Sequence, residues 1–377
     1  MSEENRSEQC LEDPANGPSL LFFSGGSALD KTSSLLTKYT HNSIHLLTPF
    51  DSGGSSAILR KAFNMPAVGD LRARLMAIAD NSIEGHPEAV ALFRYRLPTD
   101  LSQASLKKLV EQLQSGEHPL VEATSSTVKQ LIANNLRAFL DQVPDNFNYR
   151  GASVGNLVIT GGYLINQRTL NHVVDQISEI VNALGIVRTT TDDDLELIAT
   201  LADGTKVSGQ HKITAKETKP LKTKINSLCL SDSRASLGDE IRQLILSADL
   251  IVFPPGSFYS SLIANLLPKG VGEAINLSNA KKVFVPNLGN DPELYDTSLL
   301  DQLNTLNKIL CADAKLDETS EMLIDIILSD SILNNEFDAM LTSPTLKPEL
   351  INNDLQHEKN KALYDEKKLI EGLLSLL

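Results

Sequence analysis

The sequence predicts an α/β protein: a mostly parallel sheet with flanking helices, an antiparallel hairpin and extra helical segments. Three observations carry the prediction. Short apolar runs end abruptly in glycine and serine, as in Leu20-Leu21-Phe22-Phe23 before Ser24-Gly25-Gly26-Ser27. Between such runs lie stretches whose apolar residues recur at helical spacing. An Asp203-Gly204 pair separates two extended segments, which is the signature of a tight hairpin. Strands alternating with helices give a parallel sheet, and the hairpin adds the antiparallel part.

In chain order, residues 20–95 read as strand–loop–helix units, with helices beginning near Ala28 and Ser55 and another at Asp70. The second strand is Ile44-His45-Leu46-Leu47, followed by Thr48-Pro49-Phe50-Asp51 and Ser52-Gly53-Gly54-Ser55-Ser56. The helix at Asp70 sets Leu71, Leu75, Ile78 and Ala79 on one face, with Asp70 as its N-cap. Residues 102–143 hold two helices, one ended by Gly116 and one stopped before Pro144. A further helix opens at Gly151, capped by Ser153. Strands are expected at 195–201, at 206–209 across the hairpin, and at 225–230, 250–253 and 281–285, with a helix at 239–247. From Thr319 onward helical patterns dominate, ending in a stripe of Leu363, Ile370, Leu373, Leu374 and Leu377. The expected plan is a disordered acidic leader at 1–18 and a core at 19–310 with a helical insert at about 100–145. A helical extension at 311–377 completes it.

Composition narrows the function. Hydrophobic content of 41% and charged content of 22% are ordinary for a globular protein. No apolar stretch approaches the roughly 18–20 residues that span a bilayer. The first nineteen residues lack the apolar region of a signal peptide, so a cytoplasmic location without a membrane partner is expected. Cys10, Cys229 and Cys311 show no metal-ligand spacing, which argues against a disulfide framework or structural zinc. A formal net charge of −14 argues against nucleic-acid binding, which needs clustered lysine and arginine. A small phosphorylated ligand feels the local field instead, and Lys31, Arg60, Lys61, Arg72 and Arg74 gather near the glycine turns.

A strand that ends in glycine and serine before a helix presents backbone N–H groups at a positive dipole end, suited to an anion. The third such turn is Pro254-Pro255-Gly256-Ser257, after Leu250-Ile251-Val252-Phe253. Turns at the carboxyl ends of strands in one sheet converge on one crevice. The first turn is not a P-loop, because Asp30 stands where GxxxxGK[ST] requires glycine and a carboxylate repels phosphate. Asp51 is suited to Mg²⁺ or a ribose hydroxyl, or equally to capping its own turn. Ser55 and Ser56 read as helix starters with no histidine placed to activate them. Arg72, at a helix start, is suited to gripping phosphate. Asp192-Asp193-Asp194 reads as a solvated turn, and His41, His45 and His211 read as structural.

Together these motifs resemble the superfamily that contains 2-phospho-L-lactate transferase (CofD) and the gluconeogenesis-factor proteins. The matching residues are Ser24-Gly25-Gly26-Ser27, Asp51-Ser52-Gly53-Gly54-Ser55-Ser56 with Leu59-Arg60, Gly69-Asp70-Leu71-Arg72 and Gly155-Asn156-Leu157. Residues 203–209 and 248–261, with Asn265-Leu266-Leu267, complete the set. The resemblance implies a Rossmann-like core that binds a nucleotide such as GDP or a UDP-sugar, with Mg²⁺. The nucleotide-binding residues would be Ser24, Gly25, Gly26, Ser27, Gly53, Gly54, Ser55, Ser56, Arg60, Asp70, Asn156, Gly256, Ser257 and Asn287. Asp51 would hold the metal or the acceptor hydroxyl, and Arg72 would neutralise phosphate charge. In the transferase branch a phospholactyl group passes from a GDP-linked donor to an alcohol. In the other branch a nucleotide sugar is bound and carbon metabolism or cell shape is regulated. A homodimer through helices is compatible with either.

Three departures stand out. Asp51-Ser52 replaces the pair of aspartates common in the family, which removes a metal ligand. Asn287-Leu288-Gly289-Asn290-Asp291-Pro292 stands where a Gly-Glu-Thr usually follows the asparagine. Ala28 replaces a glycine of the first turn.

Overall fold

Parallel pairing of buried apolar strands organises the protein. The structure, a computed structural model, describes residues 3–26, 28–82, 86–214, 221–330, 333 and 348–377, with side chains from Arg6 onward. In chain order the strands are β1 Leu20–Ser24, β2 Ile44–Leu47, β3 Ile186–Thr189, β4 Leu197–Leu201, β5 Lys206–Ser208 and β6 Ile225–Leu230. They continue with β7 Leu250–Phe253, β8 Lys281–Phe284, β9 Ile326–Asp330, β10 Glu349–Asn353, β11 Gln356–His357 and β12 Asn360–Tyr364. Seven of them form one sheet in the order β10-β9-β8-β7-β1-β2-β3, and every neighbouring pair is parallel. The order reverses between β1 and β7, so that junction is the topological switch point.

Both faces of this sheet are covered, which is why its strands read as continuous apolar runs. Leu21, Phe23, Ile44, Leu46, Ile251 and Phe253 share one core cluster with the small antiparallel sheet β5-β4-β6 and the helices after β7. Leu20, Phe22, Leu250 and Val252 point the other way, onto the last helix, Glu366–Leu374. This alternation is the period of two that a strand imposes. A third cluster joins Leu47 and Val187 to the helices between residues 54 and 180. The helical insert matches expectation, with helices at Gln103–Ser115, Pro119–Glu122 and Ser126–Gln142. The hairpin around Asp203-Gly204 is also formed, as β4 and β5.

Two expectations need correction. The leader is helical over Glu3–Glu12 rather than disordered, because Cys10 is buried in the same cluster as the last helix. The extension at 311–377 is not mainly helical, since β9 and β10 lengthen the central sheet and β11–β12 form a hairpin. An apolar run as short as Ile326-Ile327-Leu328 cannot be assigned to strand or helix by periodicity alone. No helix of the described residues is long and apolar enough to cross a membrane.

Candidate functional site

Because β7, β1 and β2 are adjacent and parallel, their three glycine turns open at one edge of the sheet. The second turn carries the densest polar cluster. Its helix, Gly54–Phe63, has Gly53 as N-cap, and Gly54 takes a positive φ of 48° and faces open space. Asp51 Oδ1 accepts the Gly53 N–H at 3.0 Å, which fixes the carboxylate at the helix start. The next helix, Gly69–Ala77, brings Arg72 alongside. Arg72 donates through Nε to Asn156 Oδ1 at 2.9 Å, and Asn156 Nδ2 donates to Ser55 Oγ at 3.4 Å. Glycine at 69 is required for this convergence, since a Cβ there would lie 2.6 Å from Ser56 Oγ and 3.4 Å from Asp51 Oδ2. Glycine at 155 likewise makes room for the Arg72 stem. Asp51, Gly53, Gly54, Ser55, Ser56, Arg72 and Asn156 are therefore one constellation.

Burial first, then the charge of Arg96, with Arg94 also contributing, lowers the Arg72 pKa to about 10, while Asp30 and Asp70 act in the opposite sense. Arg94 donates to the Met76 carbonyl and Arg96 to that of Gly151. Among the described residues, none of these three arginines forms an ion pair.

The first turn is held from behind. Arg74 has no exposed surface and donates to the carbonyls of Leu29 (3.0 Å) and Gly25 (2.9 Å) and to the hydroxyls of Ser33 and Ser24. Asn265 Nδ2 binds the Ser24 carbonyl at 3.0 Å. The Asp70 carboxylate packs against Gly26, where a side chain would collide with it. Asp70 is the second residue of its helix, and Val68 is the N-cap, so the expected Asp70 cap is corrected. Ser27 lies outside the described residues. Lys31 is exposed, 3.9 Å from Glu366.

The third turn differs from expectation. The Gly256 N–H is taken by Asn287 Oδ1 at 2.8 Å, and Asn287 Nδ2 returns a bond to the Gly256 carbonyl at 2.7 Å. After Ser257 comes a π-helical stretch, Phe258–Ile263. Its leading N–H groups at Phe258, Tyr259 and Ser260 donate to Asp291 and Glu293, both buried. Carboxylates from the chain itself thus take these N–H groups, as Asn287 takes that of Gly256. Burial, reinforced by the Asp291 charge, raises the Glu293 pKa well above the ordinary carboxylate range.

Arg60 is also committed elsewhere. It pairs with Asp194 at 2.6 Å and donates to the carbonyls of Phe50, Asp51 and Leu195. It positions the Asp51 loop rather than a ligand. Asp192 and Asp193 accept from Thr189 and Thr191, so the aspartate run is a set of turn caps.

Sequence reasoning set Arg74 near the turns without a role, and it missed the Asp291–Glu293 pair and a contact between Ser52 and His211. Ser52 Oγ accepts the His211 N–H at 3.1 Å and lies 2.8 Å from His211 Nδ1. The signal in the sequence was Ser52 itself, an uncharged residue beside Asp51.

A parallel sheet with its switch point at a glycine turn defines a Rossmann-like α/β protein. The chain belongs to the family of 2-phospho-L-lactate transferase CofD, whose model matches residues 20–374. It is 29% identical over 277 residues to a putative gluconeogenesis factor of Thermoanaerobacterium thermosulfurigenes, covering 74% of this chain and 69% of that one. Identity to the gluconeogenesis factor of Bacillus subtilis is 27% over 295 residues, or 77% and 74% of the two chains. A putative gluconeogenesis factor of Thermotoga maritima is 28% identical, with 64% of this chain matching 59% of that longer protein. A solved UPF0052 family structure from Bacillus halodurans superposes with a TM-score of 0.69 at 22% identity, covering 96% of this chain and 99% of that one. That likeness establishes the fold.

Proposed function

We propose that the crevice binds a nucleoside diphosphate-linked donor and transfers its phosphoryl-linked group to an alcohol. The observation that carries this reading is Arg72, fixed on Asn156 beside Asp51 and grouped with Arg94 and Arg96, none of the three in an ion pair among the described residues. Like charges pressed together in a half-buried site are relieved by an anionic ligand. In the transfer, the acceptor oxygen bonds to the distal phosphorus and the bond from that phosphorus to the bridging oxygen breaks. The nucleoside monophosphate leaves with the electron pair. Asp51 Oδ2 orients the acceptor hydroxyl and takes its proton, while Arg72 and the N–H groups at the Gly54–Phe63 helix start neutralise the phosphates. The second turn offers one carboxylate, with Ser52 bound to an imidazole where a second would stand. No group of three or more His, Cys, Asp or Glu is poised for a metal among the described residues. This donor set does not build a Mg²⁺ site by itself, so charge neutralisation falls to arginine.

The test is a thermal-shift and turnover series with GDP, UDP, a UDP-sugar and a GDP-linked phospholactyl donor, each with and without Mg²⁺. Donor consumption that falls roughly a hundred-fold or more in Asp51→Asn supports the transferase. Unchanged consumption removes Asp51 from the chemistry. A second reading starts from Ser52, which leaves the turn with one carboxylate. In it the same crevice holds a nucleotide sugar without turnover, and stabilisation by the UDP-sugar with no consumption of any donor supports it.

A further inference from the structure

The second and third turns have opposite electrostatic characters, and the difference orients the ligand. On the β2 side stand Arg72, Asn156 and the open start of the Gly54–Phe63 helix. On the β7 side the N–H of Gly256 and those at the start of the π-helical stretch are bonded to Asn287, Asp291 and Glu293. An anion gains nothing there and meets two carboxylates behind the turn. Yet a cavity of about 330 Å³ opens at this end, within the size range of small-molecule sites. Its walls include Leu29, Pro255, Leu288 and Leu363, with Lys31 and Glu366 as the charged residues among them.

The outer wall is the β11–β12 hairpin, and it is firmly seated. The Tyr364 hydroxyl donates to the Pro286 carbonyl at 2.6 Å, and the Gly289 backbone lies so close to Ala362 that a Cβ would sit 2.9 Å from the Ala362 carbonyl. Leu363 nevertheless keeps 53% of its surface exposed at the rim. An apolar side chain is thus held towards the cavity mouth by a pinned backbone.

We infer that this cavity is the slot for the ligand's nucleobase, with the phosphates at the second turn beside Arg72. The inference rests on the nucleotide reading above and adds its direction. β2 and β7 flank β1, so the two ends of the crevice are two strand spacings apart, about 10 Å. A ribose and a diphosphate bridge that span. The slot takes a flat, uncharged heterocycle against its apolar walls, where Lys31 and Glu366 stand 3.9 Å apart, and the arginines take the charge.

The experiment is calorimetry with three probes, pyrophosphate, GDP and UDP, on the wild type and on Leu363→Asp and Leu288→Asp. Leu363 is exposed and Leu288 half-buried at the cavity wall, so neither change removes a core residue. The slot predicts that at least one nucleoside diphosphate binds the wild type about ten-fold or more tighter than pyrophosphate. It further predicts that both variants lose this advantage while pyrophosphate affinity holds. Pyrophosphate binding as tightly as both nucleotides, or a nucleotide advantage that survives both substitutions, overturns the slot and leaves the phosphate site standing. Silence from all three probes overturns the nucleotide reading and the slot with it.

Discussion

Arg74 and Arg72 lie two residues apart and do different work. Arg74 is sealed inside the protein, and burial lowers its pKa to about 10 while Asp30 and Asp70 hold it charged. Its donors are spent on the backbone around the first turn. Arg74→Met leaves those carbonyls and Asp30 uncompensated, with an expected cost of about 3–5 kcal/mol, read as a lower urea midpoint. Arg72 is only half buried. Arg72→Ala should weaken pyrophosphate and nucleoside diphosphate binding roughly ten- to hundred-fold with a small change in stability, as calorimetry and thermal melts would show. Arg72→Lys keeps the charge but not the planar donor set that reaches Asn156, so only partial recovery is expected. Both arginines were visible near the glycine turns in the sequence. Which one faced the crevice was not, because a helix start does not reveal which face meets the sheet.

At the scale of elements, the π-helical stretch after β7 is capped by Glu293, whose oxygens accept the Tyr259 and Ser260 N–H groups and the Ser260 hydroxyl. Its pKa is raised in the folded state, so between the ordinary value of 4.5 and the raised one the native protein binds more protons than the unfolded chain. Stability should therefore fall as pH rises through that window. Glu293→Gln keeps an acceptor for the backbone donors and removes the titration, so it should flatten the decline between about pH 5 and about pH 8 in denaturant melts. A second link between elements is Ser52 with the short helix Gln210–Ile213. Ser52→Ala should cost about 1 kcal/mol and speed hydrogen exchange at His211. The glycine turns themselves were legible, because a strand ending in glycine is a local event. Their partners were not. Asn287 meets Gly256 from 31 residues away and His211 meets Ser52 from 159, and no spacing rule spans such distances.

For the molecule as a whole, the α/β class and the parallel core followed from apolar runs buried on both faces. The extent of the sheet did not, because β9 and β10 are recognisable as strands only through their neighbours. The last helix closes the face that carries Leu20 and Phe22, with Leu369, Ile370, Leu373 and Leu374 all buried. A chain truncated after Tyr364 should lose its cooperative melt and aggregate on size exclusion, since that apolar face would be uncovered.

The strand order also has a temporal side. Residues 21–24 pair on one edge with β2, which follows at once, and Leu20, Leu21 and Phe22 pair on the other with Leu250, Ile251 and Val252. At ribosomal speeds of about 5–20 residues per second, the second partner emerges roughly ten to fifty seconds after the first strand. Throughout that interval the nascent chain carries an apolar strand with one side unpaired. An interior strand of the finished sheet is, during synthesis, an aggregation-prone edge.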